Sequence, residues 1–296
     1  MTMILVRQLN SSDRIDTDVF LEKHAESCMF MRSHIAIAGL TYRGLPNQGD
    51  HFGAFRDGKL VGVIAHYWNG NVMIEAKDGI AELSQAVIKN AFNSGRSIRG
   101  ILGSFDQAQE LIEVMDIQEW PRTVNSKEHL LAMSLKDLKV PALCHDPDFY
   151  RRDPKEQDRD LMMKWRFDYE MEFGSGQDNE TSRARIARDV EDFMSNGKYW
   201  LFEYQEKPVA FSGFNAVTDD TVQPSVVWVS PENRTKGFAS PIVASILLVA
   251  RDRWEKKKTV IFSQNEASEK AYTALGYKDF GYYSLIMFQK PYLPMM

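Results

Sequence analysis

Arg234, Gly237 and Ala239 sit in the stretch VSPENRTKGFAS, residues 229–240, between a run rich in β-branched residues and an apolar run of helical length. A helix that starts just after Gly237 has unpaired backbone N–H groups in its first turn, and with the helix dipole these favour an anion. Glycine lets the backbone turn sharply and come close to a ligand. Ala239 keeps the next position small, and Pro241 falls in the first turn, where a missing N–H breaks no helical bond. The expected donors are the N–H groups from Lys236 to Ser240. Neither phosphate-binding G-x-x-x-x-G-K-[ST] nor dinucleotide-binding G-x-G-x-x-G occurs, so R-x-x-G-x-A stands alone. The same pattern also serves a turn that uses glycine for its shape only.

Downstream, SQNEASEKAYTALGYKDF puts Asn265, Ser268 and Tyr272 at i, i+3 and i+7, which share one face of a helix. Ala267, Ala271 and Ala274 make a packing stripe, leaving Tyr272 at the boundary where a cleft can open.

These residues need a scaffold. HFGAFRDGKLVGVIAHYWNGNVMIEA reads as three strands joined at Asp57-Gly58 and Asn69-Gly70, an antiparallel meander. A helix over AELSQAVIKNAF, a strand at SIRGILG and a helix over FDQAQELIEVM follow. The second half repeats that order: KYWLFEYQEKPVAFSGFNAV as a strand pair, PSVVWVS, the helix SPIVASILLVARDRWEKK, TVIFS, and the helix EASEKAYTALGY. Two tandem copies of one mixed α+β fold are expected, divided as residues 1–141 and 142–296. KVPALCHDPDFYRRDPKEQ, with three prolines among charges, reads as the linker. The first half's equivalent turn, EAKDGIAELS, is acidic through Glu75, Asp78 and Glu82 and lacks the arginine, so an anion is not expected there.

The chain has 296 residues, 44% hydrophobic, and a net charge of -5 from 36 basic and 41 acidic residues. That balance argues against a phosphate-driven nucleic-acid binder. Cys28 and Cys144 cannot form a disulfide framework, and neither they nor the six histidines have metal-ligand spacing, so no metal is expected. The lysines of WEKKK complement the end of a helix dipole. No run has the length of a membrane span, and the opening residues are too short an apolar segment for a signal peptide. A cytoplasmic protein with neither membrane nor nucleic-acid partner is expected, its oligomeric state open.

VWVSPENRTKGFAS followed by NEASEKAYTALGYKDF resembles the acyl-coenzyme A binding motif and following helix of the GNAT superfamily of N-acetyltransferases. VFLEKHAESCMFMRSHI, RGILGSFDQAQELIEVM and DLMMKWRFDYEMEFG extend the resemblance to tandem members with a degenerate first half. It implies two mainly antiparallel sheets, each with flanking helices and a splayed parallel strand pair. It further implies that coenzyme A pyrophosphate lies on Arg234, Thr235, Lys236, Gly237, Phe238, Ala239 and Ser240, with pantetheine between the splayed strands VVWVS and TVIFS. Asn265, with Ser268 beside it, would hold the pantetheine arm, and Tyr272 would stand near the thioester sulfur.

Acyl transfer to an amine needs an unprotonated nucleophile, a donor for the developing oxyanion and a proton for the thiolate. A backbone N–H at Trp228 or Val229 is the expected oxyanion donor and Tyr272 the expected acid. QPSVVWVS has no acidic residue where many relatives carry the base. Glu170 and Glu172, on a helix that by resemblance borders the acceptor, are the remaining candidates. The expectation is an acetyl-coenzyme A-dependent N-acyltransferase acting on a small-molecule or peptide amine. The alternatives are a non-catalytic acyl-coenzyme A sensor and an aminoacyl-tRNA-dependent peptidyltransferase of tandem fold.

Overall fold

The computed structural model describes residues 3–174 and 176–294. In chain order the first elements are β1 (Leu5–Gln8), α1 (Arg14–Glu22), α2 (Met29–Ala38), β2 (Gly49–Arg56), β3 (Lys59–Tyr67), β4 (Asn71–Ala76), α3 (Ile80–Ser94), β5 (Ile98–Ser104), α4 (Phe105–Val114) and β6 (Arg122–Ser134). There follow β7 (Phe149–Arg152), α5 (Arg159–Phe173), α6 (Glu180–Ser195), β8 (Tyr199–Tyr204), β9 (Lys207–Val217), β10 (Thr221–Val229), α7 (Ala239–Asp252), β11 (Lys258–Ser263), α8 (Glu266–Leu275) and β12 (Lys278–Tyr292). The run β2 to α4 has the same order of elements as β8 to α8, as the sequence repeat predicts.

The chain divides into two compact units, residues 1–130 with 280–296, and residues 131–279. These units do not follow the sequence division at residue 141. The chain's last strand returns to the first unit, where Tyr283 to Met287 of β12 pair antiparallel with Ser104 to Gly100 of β5. The segment expected as a linker is folded within the second unit: Phe149 to Arg152 pair with Tyr204 to Leu201. Phe149 drives this, stacking on Phe202 at 5.9 Å and on Phe238 at 6.0 Å.

In the first unit the strands run β1-β2-β3-β4-β5-β12. Asp57 and Gly58 both take positive φ, 50° and 74°, the geometry that a two-residue hairpin requires. Ile64, Val72, Ile74 and Ile101 of the strands close over Leu83, Val87 and Leu111 of α3 and α4.

In the second unit β7, β8, β9, β10 and β11 form the sheet. Strand alternation sends neighbouring side chains to opposite faces. Trp200, Phe202, Phe214 and Val222 pack on α7 and α8, while Leu201, Phe211, Val226 and Trp228 pack on Met162 and Trp165 of α5 and on Val190 and Phe193 of α6. Among the described residues no helix is long and apolar enough to cross a membrane.

Candidate active site

α7 starts at Ala239 with Phe238 as its N-cap residue, and Phe238 is anchored in the core against Phe149 and Tyr204. Pro231 opens a single 3-10 turn to Asn233, and the chain then reverses through Thr235 at φ 63° and Gly237 at φ 82°. Among the described residues the N–H groups of Thr235 to Ser240 donate no hydrogen bond, whereas Asn233 and Arg234 before them and Ile242 after them do. A Cβ placed on Gly237 would meet nothing within 4 Å, so the turn faces open space. That space is a cleft of about 310 Å³ lined by Val229, Arg234, Gly237, Ala239, Ser240 and Ala271 among others. Unpaired N–H groups, a helix N-terminus and a guanidinium are together the chemistry that anion binding uses.

Val229, which lines the cleft, is the last residue of β10, the strand at which the sheet parts. β10 and β11 are paired parallel only at Thr221 with Lys258 and Val222 with Thr259, after which β10 runs on to Val229 and β11 to Ser263. Pro224 supplies no ladder N–H, and an irregularity between Ser225 and Trp228 forces Val226 to φ 48°. A β-branched residue in the left-handed region is strained, and such strain clusters at working sites. Ser230 donates its N–H to Val209 across the ladder with β9. Alternation along the strand then directs the Trp228 N–H toward β9 as well and the Val229 N–H into the gap. Of the two expected oxyanion donors, Val229 is the one with that direction.

Tyr272 of α8 is buried, and among the described residues its hydroxyl makes no hydrogen bond. Burial, reinforced by the Tyr169 phenol on α5, holds its own phenol well above the ordinary range and therefore protonated. The two phenols belong to helices on opposite faces of the sheet. Asn265 and Ser268 take up other tasks than the expected one. Asn265 is the N-cap of α8, its side-chain oxygen accepting the Ser268 N–H at 3.0 Å, and the Ser268 hydroxyl is held by Ser263 at 2.6 Å. This capping commits Asn265 Oδ1 and leaves the carboxamide NH2 as the side chain's remaining donor.

α5 presents its candidates differently from the expectation. Trp165 stacks on Phe211 in the core at 6.3 Å. Glu170 is buried between Arg166 at 3.2 Å and Arg185 of α6 at 2.6 Å. Its carboxylate thus bridges two guanidinium groups. Glu172 is partly exposed and accepts both Nη groups of Arg234, at 2.9 and 2.8 Å. The Arg234 guanidinium also lies 4.7 Å from the centre of the Trp228 ring, which Tyr169 and Phe173 flank edge-on. Trp228 Nε1 is buried without a hydrogen-bond partner. Sequence reasoning missed Tyr169 and Phe173. Their signal was the aromatic spacing 165, 169, 173, one helical face.

The first unit's counterpart is closed. β4 and β5 stay paired as far as Ile74 with Gly103. Just beyond, the Gln107 side chain fills the parting: its oxygen accepts the Ala76 N–H at 2.8 Å and its NH2 donates to Glu75 at 3.2 Å. A Cβ on Gly79, before α3, would lie 3.0 Å from the Ala54 Cβ and 3.1 Å from Ile4. Asp78, paired with Arg56, adds negative charge.

Residues 160–277 match the acetyltransferase (GNAT) family model. No curated protein matches the chain. Among solved structures, the chain is similar to a Drosophila protein (TM-score 0.63, 14% identity, 96% of this chain and 99% of that one). It is also similar to a tandem GNAT protein from the clavulanic acid biosynthesis pathway (TM-score 0.53, 11% identity, 99% and 100%). A third similar structure is a fungal multi-domain β-N-acetylglucosaminidase with a glucosamine N-acetyltransferase region (TM-score 0.54, 14% identity, 97% of this chain). The chain spans only 38% of that protein's length. At these identities the structural likenesses speak for the fold alone. Residues 160–277 form a domain of the acetyltransferase (GNAT) family, carried in a chain of tandem GNAT fold.

Proposed function

We propose that the second unit transfers an acyl group, acetyl first among them, from acyl-coenzyme A to a primary amine of a small molecule or peptide. The observation that carries this reading is the run of unpaired N–H groups from Thr235 to Ser240 around the open Gly237, at the mouth of a sheet that parts between β10 and β11. A pyrophosphate satisfies those donors, and an extended amide-bearing arm fits between two separated strands. A neighbouring cleft of about 630 Å³ shares Gly237 and Ser240 and adds Lys139 and Lys236, room and positive charge for the nucleotide end. The first unit has its equivalent turn packed and its parting filled by Gln107, which supports one cofactor per chain.

In the reaction the amine nitrogen attacks the thioester carbonyl carbon, the carbon–sulfur bond breaks, the amine loses a proton and the sulfur leaves as thiolate. The Val229 N–H, aimed into the gap, stabilises the developing oxyanion. Tyr272 donates a hydrogen bond to sulfur. Full proton transfer from a phenol above its usual range to a thiolate of roughly pKa 8.5 is uphill, so Tyr272 acts by hydrogen bonding and the thiol is completed from water. Glu172, once released from Arg234, takes the amine proton directly or through water.

A non-catalytic sensor is the second reading, favoured by the lack of an acid on β10. A thiol-release assay with acetyl-coenzyme A over a panel of small amines, amino acids, polyamines and peptides separates the two. Amine-dependent thiol release with formation of the N-acetyl product is expected. Tight binding without release for any amine would overturn the enzymatic reading.

A further inference from the structure

Arg234 occupies a seat that has the chemistry of a cation site. Its guanidinium lies 4.7 Å from the Trp228 ring centre and is bidentate to Glu172, while Tyr169 and Phe173 stand edge-on to the indole at 6.2 and 6.4 Å. An aromatic face beside a carboxylate attracts any desolvated cation, an ammonium as well as a guanidinium. The same side chain lines the anion cleft, beside the unpaired N–H groups of the turn. Arg234 thus stands between two anionic partners, one in the protein and one arriving with the cofactor. Arg234 and Glu172 are each more than a third exposed, at 37% and 39%, and half-exposed ion pairs are weak enough to exchange.

We propose that the Trp228 face and the Glu172 carboxylate form the seat for a primary alkylammonium group of the acceptor, and that Arg234 holds this seat until an anionic cofactor draws its guanidinium to the turn. This deepens the acyltransferase reading and rests on it for the identity of the anion. It makes the acceptor cationic, sets cofactor before acceptor, and brings the ammonium to the carboxylate assigned to remove its proton.

The seat can be tested without the cofactor. Calorimetric titration would use n-hexylammonium, with n-hexanol as the uncharged control, on the full chain. Hexylammonium is expected to bind Arg234→Ala at least tenfold more tightly than wild type, and coenzyme A at saturation is expected to produce a similar gain in wild type. Adding Glu172→Gln to Arg234→Ala should remove the gain. Both positions are partly exposed, so both variants should fold, which thermal melts would verify. Trp228→Phe, which keeps a ring face, should retain part of the gain, and hexanol should show none. Equal affinity of Arg234→Ala and wild type, or a gain that survives Glu172→Gln, would overturn the seat. Coenzyme A that fails to bind wild type would instead refute the cofactor reading, while the Arg234→Ala comparison still decides the seat.

Discussion

Gly237→Val separates the folding cost of a residue from its cost to a ligand. At φ 82° an L-residue is strained by about 1–2 kcal/mol, and valine, stiff at its first side-chain torsion, falls at the upper end. The protein adds nothing to that cost, since no atom lies within 4 Å of the new Cβ. For a unit of this size the melting temperature should fall by about 2–8 °C. An anion held at this turn has no such room, because Gly237 lines the cleft and a valine side chain there takes up its space. Each charge-assisted hydrogen bond lost costs about 1.5–3 kcal/mol, about 10- to 100-fold in affinity, and displacing two puts acetyl-coenzyme A binding beyond ordinary detection. Gly79→Val is the control. Its Cβ would crowd Ala54 and Ile4, so it should destabilise the chain while leaving affinity unchanged. Calorimetry on the folded variants is the assay. A folded Gly237→Val protein with wild-type affinity would refute the assignment of the turn.

Tyr272→Phe should keep cofactor affinity and lower kcat by about 10- to 100-fold, the worth of one hydrogen bond to a developing charge; unchanged turnover with a true acceptor would make Tyr272 a packing residue. Glu172→Gln should lower turnover at pH 7 by about 100-fold or more and less at pH 10, where the amine sheds its proton unaided; an equal loss at both would argue against a base. His34, His51 and His66 are each held near pKa 4 chiefly by burial. Because these folded values lie below the unfolded one, their stabilisation is complete above about pH 6.5 and is lost as pH falls toward 4, up to about 3 kcal/mol for each. Thermal melts should therefore drop between pH 6.5 and 4, and a melting temperature flat over that range would contradict the buried neutral state.

Features set by neighbours in sequence were legible: the Asp57-Gly58 hairpin, the repeated order of elements, and the turn into α7. The Gln205-Glu206 turn was not, since neither residue is a usual choice for the positive φ both adopt. Features set by distant residues escaped as well. Nothing near Glu170 announces Arg185, which reaches it from a different helix. The return of residues 280–292 to β5 depends on a pairing across more than 170 residues. Asn265 was read from its helical face, whereas its place one residue before the helix made it a cap. Gln107, an ordinary polar residue of an amphipathic helix, shows its function only through the Ala76 N–H it satisfies.

The central claim, that an acyl-coenzyme A pyrophosphate is received by the turn before α7 and by no counterpart in the first unit, is tested most directly by amide hydrogen exchange with and without acetyl-coenzyme A. The N–H groups of Thr235 to Ser240 donate no hydrogen bond among the described residues and should exchange fast. Saturating acetyl-coenzyme A should slow exchange across residues 235–240 and leave the turn at residues 76–80 unchanged. Unaltered exchange at 235–240 in a protein that binds acetyl-coenzyme A, or equal protection at both turns, would contradict the account.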